Sequence, residues 1–196
     1  MKNRDDMTNR DDMKNKADGI VSEPVPFYDI SGMNRKFKVL LISDTHGYLG
    51  NLKEAIAGAG AGFDLLLHMG DIDGQEAALR EMLIEPVQVV SGNCDSVIDA
   101  VNYKVLKIGV HTLFMTHGHM YDVKNTLDIL KYMALKCKAD VAVFGHTHEP
   151  LIDRSDERIM LVNPGSLSLP GSHNEPTYAI MEFAASGEIE CSIHSV

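Results

Sequence analysis

Five short stretches of this chain combine carboxylate, imidazole and amide side chains with glycine. They are Asp44-Thr45-His46-Gly47, Gly70-Asp71, Gly92-Asn93-Cys94-Asp95, His117-Gly118-His119 and Gly145-His146-Thr147-His148. Carboxylate and imidazole donors suit Mn, Fe, Zn or Ni, and a coordinated divalent cation is the physical reason to gather so many of them. The neighbouring glycines let the backbone turn sharply and approach an ion closely. Taken singly each stretch is weak, since Asp-X-His recurs by chance and a lone Gly-Asp is usually a turn. Five of them in order, each closing an apolar run, point to a metal site.

Those apolar runs supply the frame. Residues 37–44, 63–70 and 86–92 read as buried strands, with helices over 52–61 and 75–83 between them. This alternation predicts a parallel sheet covered on both faces. The rhythm then changes. Residues 103–107 and 110–116 read as a hairpin around Gly109, 123–136 as an amphipathic helix with Leu127, Leu130 and Ala134 on one face, and 140–145 as a buried strand. Short strands follow around Leu161-Val162, 178–183 and 189–193, with no strong helix between them. An α/β first half and a strand-rich second half suggest two stacked sheets with helices outside. The polar stretches fall at the C-terminal ends of strands, where open α/β sheets bind their ligands. Residues 1–36 stand apart as a charged tail and linker: Asn3-Arg4-Asp5-Asp6-Met7 recurs as Asn9-Arg10-Asp11-Asp12-Met13, and Pro24 and Pro26 follow. That tail reads as solvated or as an interaction segment, and the domain proper as 37–196.

Asp44-X-His46, Gly70-Asp71, Gly92-Asn93, His117-Gly118 and Gly145-His146-X-His148 resemble the motif set of the calcineurin-like metallophosphoesterases. The resemblance runs from about Val39 to the C-terminus and is strongest to the small bacterial and archaeal phosphodiesterases, a subgroup related to a retromer scaffold subunit. It implies a four-layer α/β/β/α sandwich of two mixed sheets with a binuclear centre at the strand C-terminal edge. It also implies a partition of ligands: Asp44, His46 and His148 on one ion, Asn93, His117 and His146 on the other, and Asp71 between them. Asp71, Asn93 and His117 would carry the catalytic step, in which a metal-bridging hydroxide attacks a small phosphodiester. The cofactors implied are two divalent ions, Mn²⁺ first, with Ni²⁺, Fe²⁺ or Zn²⁺ fitting the same donors. A phosphomonoesterase with the same site and a non-catalytic scaffold are the alternatives.

One position departs from the wider superfamily, where His commonly follows the Asn; here it is Cys94. A thiol with a pKa of about 8.5 is a poor substitute for an imidazole as general acid, which favours activated aryl esters as substrates. His119, two residues beyond a proposed ligand, either stands in for that acid or points outward as a supporting residue. Cys94 reads as a packing residue or a reactive thiol. Asp95 either orients Asn93 or His117 or caps the next turn. Asn163-Pro164-Gly165-Ser166 resembles a loop that lies beside the metals in this family, where its backbone accepts a bond from a ligand His; a plain turn is the other reading. His68 reads as a satisfied core residue, and His111, His173 and His194 lie outside every motif. Loops 47–51, 96–102 and 120–123 are candidates for setting specificity.

Composition narrows the rest. Asp+Glu 28 against Lys+Arg 18 leaves a net charge of −10 over 196 residues, which disfavours a stable nucleic-acid partner. No apolar run approaches the roughly 18–20 residues of a membrane span. The charged N-terminus has no signal-peptide pattern, and three scattered cysteines (Cys94, Cys137, Cys191) make no disulfide framework, so a cytoplasmic chain is expected. Edge strands in the second half offer a route to a homo-oligomer.

Overall fold

Along the second strand Val39 and Leu41 face one way and Leu40 and Ile42 the other, and all four are fully buried. A strand apolar on both faces must be covered on both, which is the organising fact of this molecule. In the computed structural model the described residues are 28–60, 62–95, 101–172 and 174–196. The N-terminal repeat, Pro24, Pro26, His173 and residues 96–100 of one candidate loop lie outside them.

The elements are β1 (Tyr28–Ile30), β2 (Phe37–Ile42), α1 (Leu52–Gly58), β3 (Leu65–His68), α2 (Glu76–Glu81), β4 (Val87–Val89), β5 (Tyr103–Ile108), β6 (His111–Thr116), α3 (Asp128–Lys136), β7 (Val141–Val143), β8 (Leu151–Asp156), β9 (Ile159–Asn163), β10 (Thr177–Phe183) and β11 (Ile189–Ser195). One sheet has the order β11-β10-β2-β3-β4, the other β1-β5-β6-β7-β9-β8. Both are mixed. In the first, β2, β3 and β4 run parallel and β10 is antiparallel to β2. In the second, β6, β7 and β9 run parallel, flanked by antiparallel β5 and β8.

Three apolar clusters separate four layers. Val39, Leu41, Leu65 and Leu67 meet Leu113, Met115, Val141 and Val143 between the sheets. Leu40, Ile42 and Leu66 pack under Leu52, Ala55 and Leu79 of α1 and α2. Phe114, Ala142 and Phe144 pack under Leu130 and Ala134 of α3. The expected α/β/β/α sandwich is thus the fold. Each fully buried Leu, Ile or Phe contributes about 1.5–3 kcal/mol relative to exposure, so the two-sided strands anchor it.

Three local expectations are corrected. Tyr28–Ile30, inside the stretch read as linker, pairs in parallel with Leu106–Ile108 of β5. The helix expected over 123–136 begins only at Asp128, because Asp122 is left-handed (φ 54°) and the chain turns before it can propagate. β8 was not legible: four of the six residues of its sequence LIDRSD are polar, and it is an edge strand with a register shift between Asp153 and Asp156. Among the described residues no helix is long and apolar enough to cross a membrane.

Candidate metal centre

The parallel strands of both sheets deliver their C-terminal ends to one edge, and the backbone there is bent in an unusual way. Nine non-glycine residues of the described chain have positive φ, and five of them are Asp44 (53°), His46 (44°), Asp71 (55°), His146 (68°) and His148 (59°). The left-handed region costs an L-residue roughly 1–2 kcal/mol, so such clustering marks a site the fold holds against local preference. The loops are laced together by main-chain bonds: Asp44 N–H to Gly70 O, His46 N–H to Asp71 O, and Gly145 N–H to His117 O. Gly92 and Gly145 are obligatory, since a Cβ at either would collide with the Asp71 or Asp44 carboxylate.

These bends aim lone pairs at one another. His117 Nδ1 lies 2.7 Å from Met69 O, and His148 Nδ1 lies 2.8 Å from Leu169 O. A carbonyl only accepts, so Nδ1 carries the proton in both, and Nε2 is the lone-pair atom of each neutral ring. His46 Nδ1 similarly faces Asp73 Oδ2 at 3.3 Å. The inward atoms then converge. His148 Nε2 is 3.2 Å from Asp44 Oδ1 and 3.4 Å from His46 Nε2. His117 Nε2 is 3.1 Å from Asn93 Oδ1, 3.2 Å from His146 Nδ1 and 3.4 Å from Asp71 Oδ2. Asp71 Oδ2 also lies 3.9 Å from His46 Nε2, so it faces both halves of the cluster. Asp44 Oδ1 is fully buried and has no hydrogen-bond partner. An orphaned buried carboxylate oxygen is costly unless a cation compensates it.

All seven residues expected as ligands are therefore brought together. Two groups, Asp44–His46–His148 and Asp71–His117–His146, have donor atoms mutually within 4.8 Å. Four imidazoles, two carboxylates and an amide oxygen fit a first-row divalent ion. The field agrees with the geometry. Burial alone would raise the carboxyl pKa of Asp44, yet His148, His117 and Ser43 hold it below the usual carboxylate range. Asp71 is lowered too, by His117 and the Cys94 N–H against the effect of burial. On His117 the two aspartates outweigh burial and raise the pKa; on His148 the Asp44 partner raises it. His146 falls to about 4 through burial and the charge on His117.

The supporting contacts include several that sequence reasoning missed. The Asp95 carboxylate accepts the backbone N–H groups of Asp71, Ile72, Asp73 and Gly92, each at 2.8 Å. It clamps the Asp71 turn to the Gly92 loop, a role visible only once the two loops are adjacent. His68 is fully buried; its Nε2 meets Thr45 Oγ1 at 3.0 Å and its Nδ1 accepts the Gly70 N–H at 3.2 Å. Burial and the charge on His117 hold its pKa at about 4 against the pull of Asp44, Asp95 and Asp71. The 163–168 loop braces the centre from the other side. Ser166 and Ser168 hydroxyls both donate to Asp44 O, and Asn163 Nδ2 donates to Gly145 O. His148 finds its carbonyl at Leu169, just beyond the 163–166 loop whose backbone was the expected acceptor.

Cys94 is exposed, and its backbone N–H donates to Asp71 Oδ1 at 2.8 Å. Partial desolvation of its sulfur and the neighbouring Asp71 carboxylate push the thiol up to about 11. Its sulfur nonetheless groups with His46 and Asp71. His119 lies beside the centre, its ring tilted against His117 (centroids 5.3 Å apart) and edge-on to His146 (6.2 Å). Burial and the charge on His117 lower its pKa, and its Nδ1 is buried without a partner.

Residues 37–186 match the family model described as the calcineurin-like phosphoesterase superfamily domain. The chain is 37% identical to the probable metallophosphoesterase YsnB of Bacillus subtilis (strain 168) over 143 residues, covering 73% of this chain and 82% of that protein. It is 30% identical to phosphodiesterase YfcE of Escherichia coli (strain K12) over 168 residues, covering 74% and 87% respectively. Among solved structures, that of a conserved protein from Streptococcus pneumoniae TIGR4, a predicted phosphoesterase, superposes with a TM-score of 0.66 at 26% identity, covering 82% of this chain and 98% of that one.

Proposed function

The chain belongs to the calcineurin-like phosphoesterase superfamily, and on that premise we propose that it is a two-metal phosphodiesterase acting on a small phosphodiester. The observation that carries the reading is the gathering of seven side chains into two adjoining groups, one of which contains the orphaned Asp44 Oδ1. Asp44, His46 and His148 would hold one ion and Asn93, His117 and His146 the other, with Asp71 shared. Divalent ions in such a pair polarise phosphoryl oxygens and lower the pKa of water toward neutrality. Mn²⁺ is the proposed metal, on the strength of the mixed oxygen and nitrogen donors.

The remaining work falls to the chain's own residues. Met69 O and Leu169 O fix the tautomers of His117 and His148, so both rings present lone pairs inward. Asp95 holds the Asp71 and Gly92 turns in register. The Cys94 thiol is too weak an acid to replace an imidazole, and burial and the charge on His117 lower the pKa of His119, so departure of a poor leaving alcohol is slow. Diesters with acidic aryl leaving groups suit this site, in keeping with the phosphodiesterase name of the Escherichia coli relative.

The test uses metal-stripped protein reloaded with Mn²⁺, comparing bis-(p-nitrophenyl) phosphate with p-nitrophenyl phosphate, with Asp71→Asn as control. Diester cleavage that the substitution lowers about 10³-fold supports the reading. Preference for the monoester makes the protein a phosphomonoesterase, and two bound ions without turnover make it a scaffold.

A further inference from the structure

We propose that His68 is a positioning residue for the metal centre: its ring ties the loop that carries Asp44 and His46 to the turn that carries Asp71, and so sets how tightly an ion is held between them. The inference rests on the two-metal reading of the centre and adds to it a residue outside the ligand set.

Alternation along β3 turns Leu65 and Leu67 toward the other sheet and Leu66 toward the helices, so His68 falls on the helix side. Its main chain is pinned on both flanks, opposite Ile42 of β2 and Val89 of β4. Both neighbours belong to the apolar cluster under α1 and α2. A leucine would fill such a place without burying two polar nitrogens. The imidazole is nonetheless fully buried, and each nitrogen has a partner. Nδ1 accepts the Gly70 N–H at 3.2 Å, which leaves the ring proton on Nε2, and Nε2 donates to Thr45 Oγ1 at 3.0 Å. Thr45 is fully buried as well, and among the described residues its hydroxyl has no other partner.

The ring grips the strained part of both segments. Thr45 sits between Asp44 and His46, both left-handed, and Gly70 precedes Asp71, which is left-handed too. Such backbone persists only where its surroundings over-determine it. Two main-chain bonds join the segments, Asp44 N–H to Gly70 O and His46 N–H to Asp71 O. The His68 ring adds a side-chain rung between the same segments, anchored in a strand that is paired on both sides. The ligands so held lie close together: His46 Nε2 is 4.0 Å from Asp44 Oδ1 and 3.9 Å from Asp71 Oδ2. A divalent ion demands donors in a fixed geometry, so a loop free to relax at Thr45 holds it more weakly. Asn93, His117 and His146 come from other loops and meet one another there, so the second position is spared.

The experiment titrates Mn²⁺ into the metal-stripped full chain by calorimetry and, separately, unfolds the metal-free proteins in urea. The wild type is expected to take two ions. Thr45→Val removes the hydroxyl at nearly constant volume, and His68→Asn keeps an oxygen for the Gly70 N–H while losing the reach to Thr45. Each is expected to weaken one of the two ions about tenfold and to leave the other within about twofold. Thr45→Ser restores the hydroxyl and is expected to bind as the wild type does. His111→Gln, at the opposite end of β6, is expected to lower the urea midpoint and keep both affinities. Wild-type affinities in Thr45→Val and His68→Asn, whatever their urea midpoints, overturn the inference, as does an equal loss in Thr45→Ser or His111→Gln. A wild type that binds no Mn²⁺ fails the two-metal reading itself, and the inference with it.

Discussion

Where β6 and β7 begin, His111 has both ring nitrogens engaged: Nδ1 is 2.5 Å from Asp140 Oδ2 and Nε2 is 2.8 Å from Gly187 O. The second Asp140 oxygen takes the Thr112 N–H, and Arg154 nearby donates to Ile189 O. At the other edge, where the same strands end, His117, His146, Asp44 and Asp71 point acceptors at one another, and one buried oxygen has no donor at all. Both edges use histidine and aspartate. At the first edge every side-chain nitrogen and oxygen of the His111–Asp140 pair has a partner, and the polar groups join β6, β7 and the β10–β11 turn. At the second edge acceptor atoms face one another and one carboxylate oxygen is left without a partner, which is the condition a cation relieves. A pairing audit separates a structural His–Asp contact from a candidate metal centre where residue type does not.

The sharpest way to break this contrast is to place a donor in the mismatched edge. Asp44→Asn keeps an oxygen for Ser43 Oγ and the His146 N–H and turns Oδ1 into an N–H facing His148 Nε2. Hydrolysis of bis-(p-nitrophenyl) phosphate should fall by about 10³-fold. The metal-free protein should gain on the order of 1 kcal/mol, seen as a higher unfolding midpoint in urea with unchanged slope. A metal-free variant less stable than the metal-free wild type would mean the cluster is not strained by its unmatched acceptors.

A smaller effect comes from His68, which lies between the edges behind the Asp71 turn. Its folded pKa, about 4, lies below the ordinary value of about 6.5 because of burial. The unfolded chain therefore binds a proton that the folded one refuses. This contribution is fully present above pH 6.5 and is lost as pH falls toward 4, by on the order of 3 kcal/mol. His68→Gln should remove about one proton from the slope of stability against pH in that window. A slope identical to wild type would show that other groups set it.

The least effect belongs to the matched edge. His111→Gln gives up the two-sided bridge and should cost about 1–2 kcal/mol of stability, while kcat on the aryl diester stays within twofold of wild type. A large fall in kcat would mean that the two edges are coupled through β6.

Much of the frame was legible because its signals are local. The apolar runs of β2, β3 and β7 read as buried strands and are buried on both faces. What stayed hidden has physical reasons. β1 is three residues long and exists only through its parallel pairing with β5, and β8 carries Asp153, Arg154 and Ser155 at an edge. Asp95 reads locally as an orienter of Asn93 or a turn cap. Its four backbone partners come from two loops, and the three in the Asp71 turn are 22–24 residues away. The Ser166 and Ser168 bonds to Asp44 span more than 120 residues.

The sequence by itself determined which residues end each strand, and therefore that Asp44, His46, Asp71, Asn93, His117, His146 and His148 would share one edge. That follows from period-two burial and parallel strand direction, which are properties of short segments. The tertiary structure decided how those residues meet. Left-handed backbone at five of them is held by bonds from distant loops, and the tautomers of His46, His117 and His148 are fixed by a carbonyl or carboxylate from another element. Donor type is written in the chain, whereas the direction of a lone pair is a property of the packed fold.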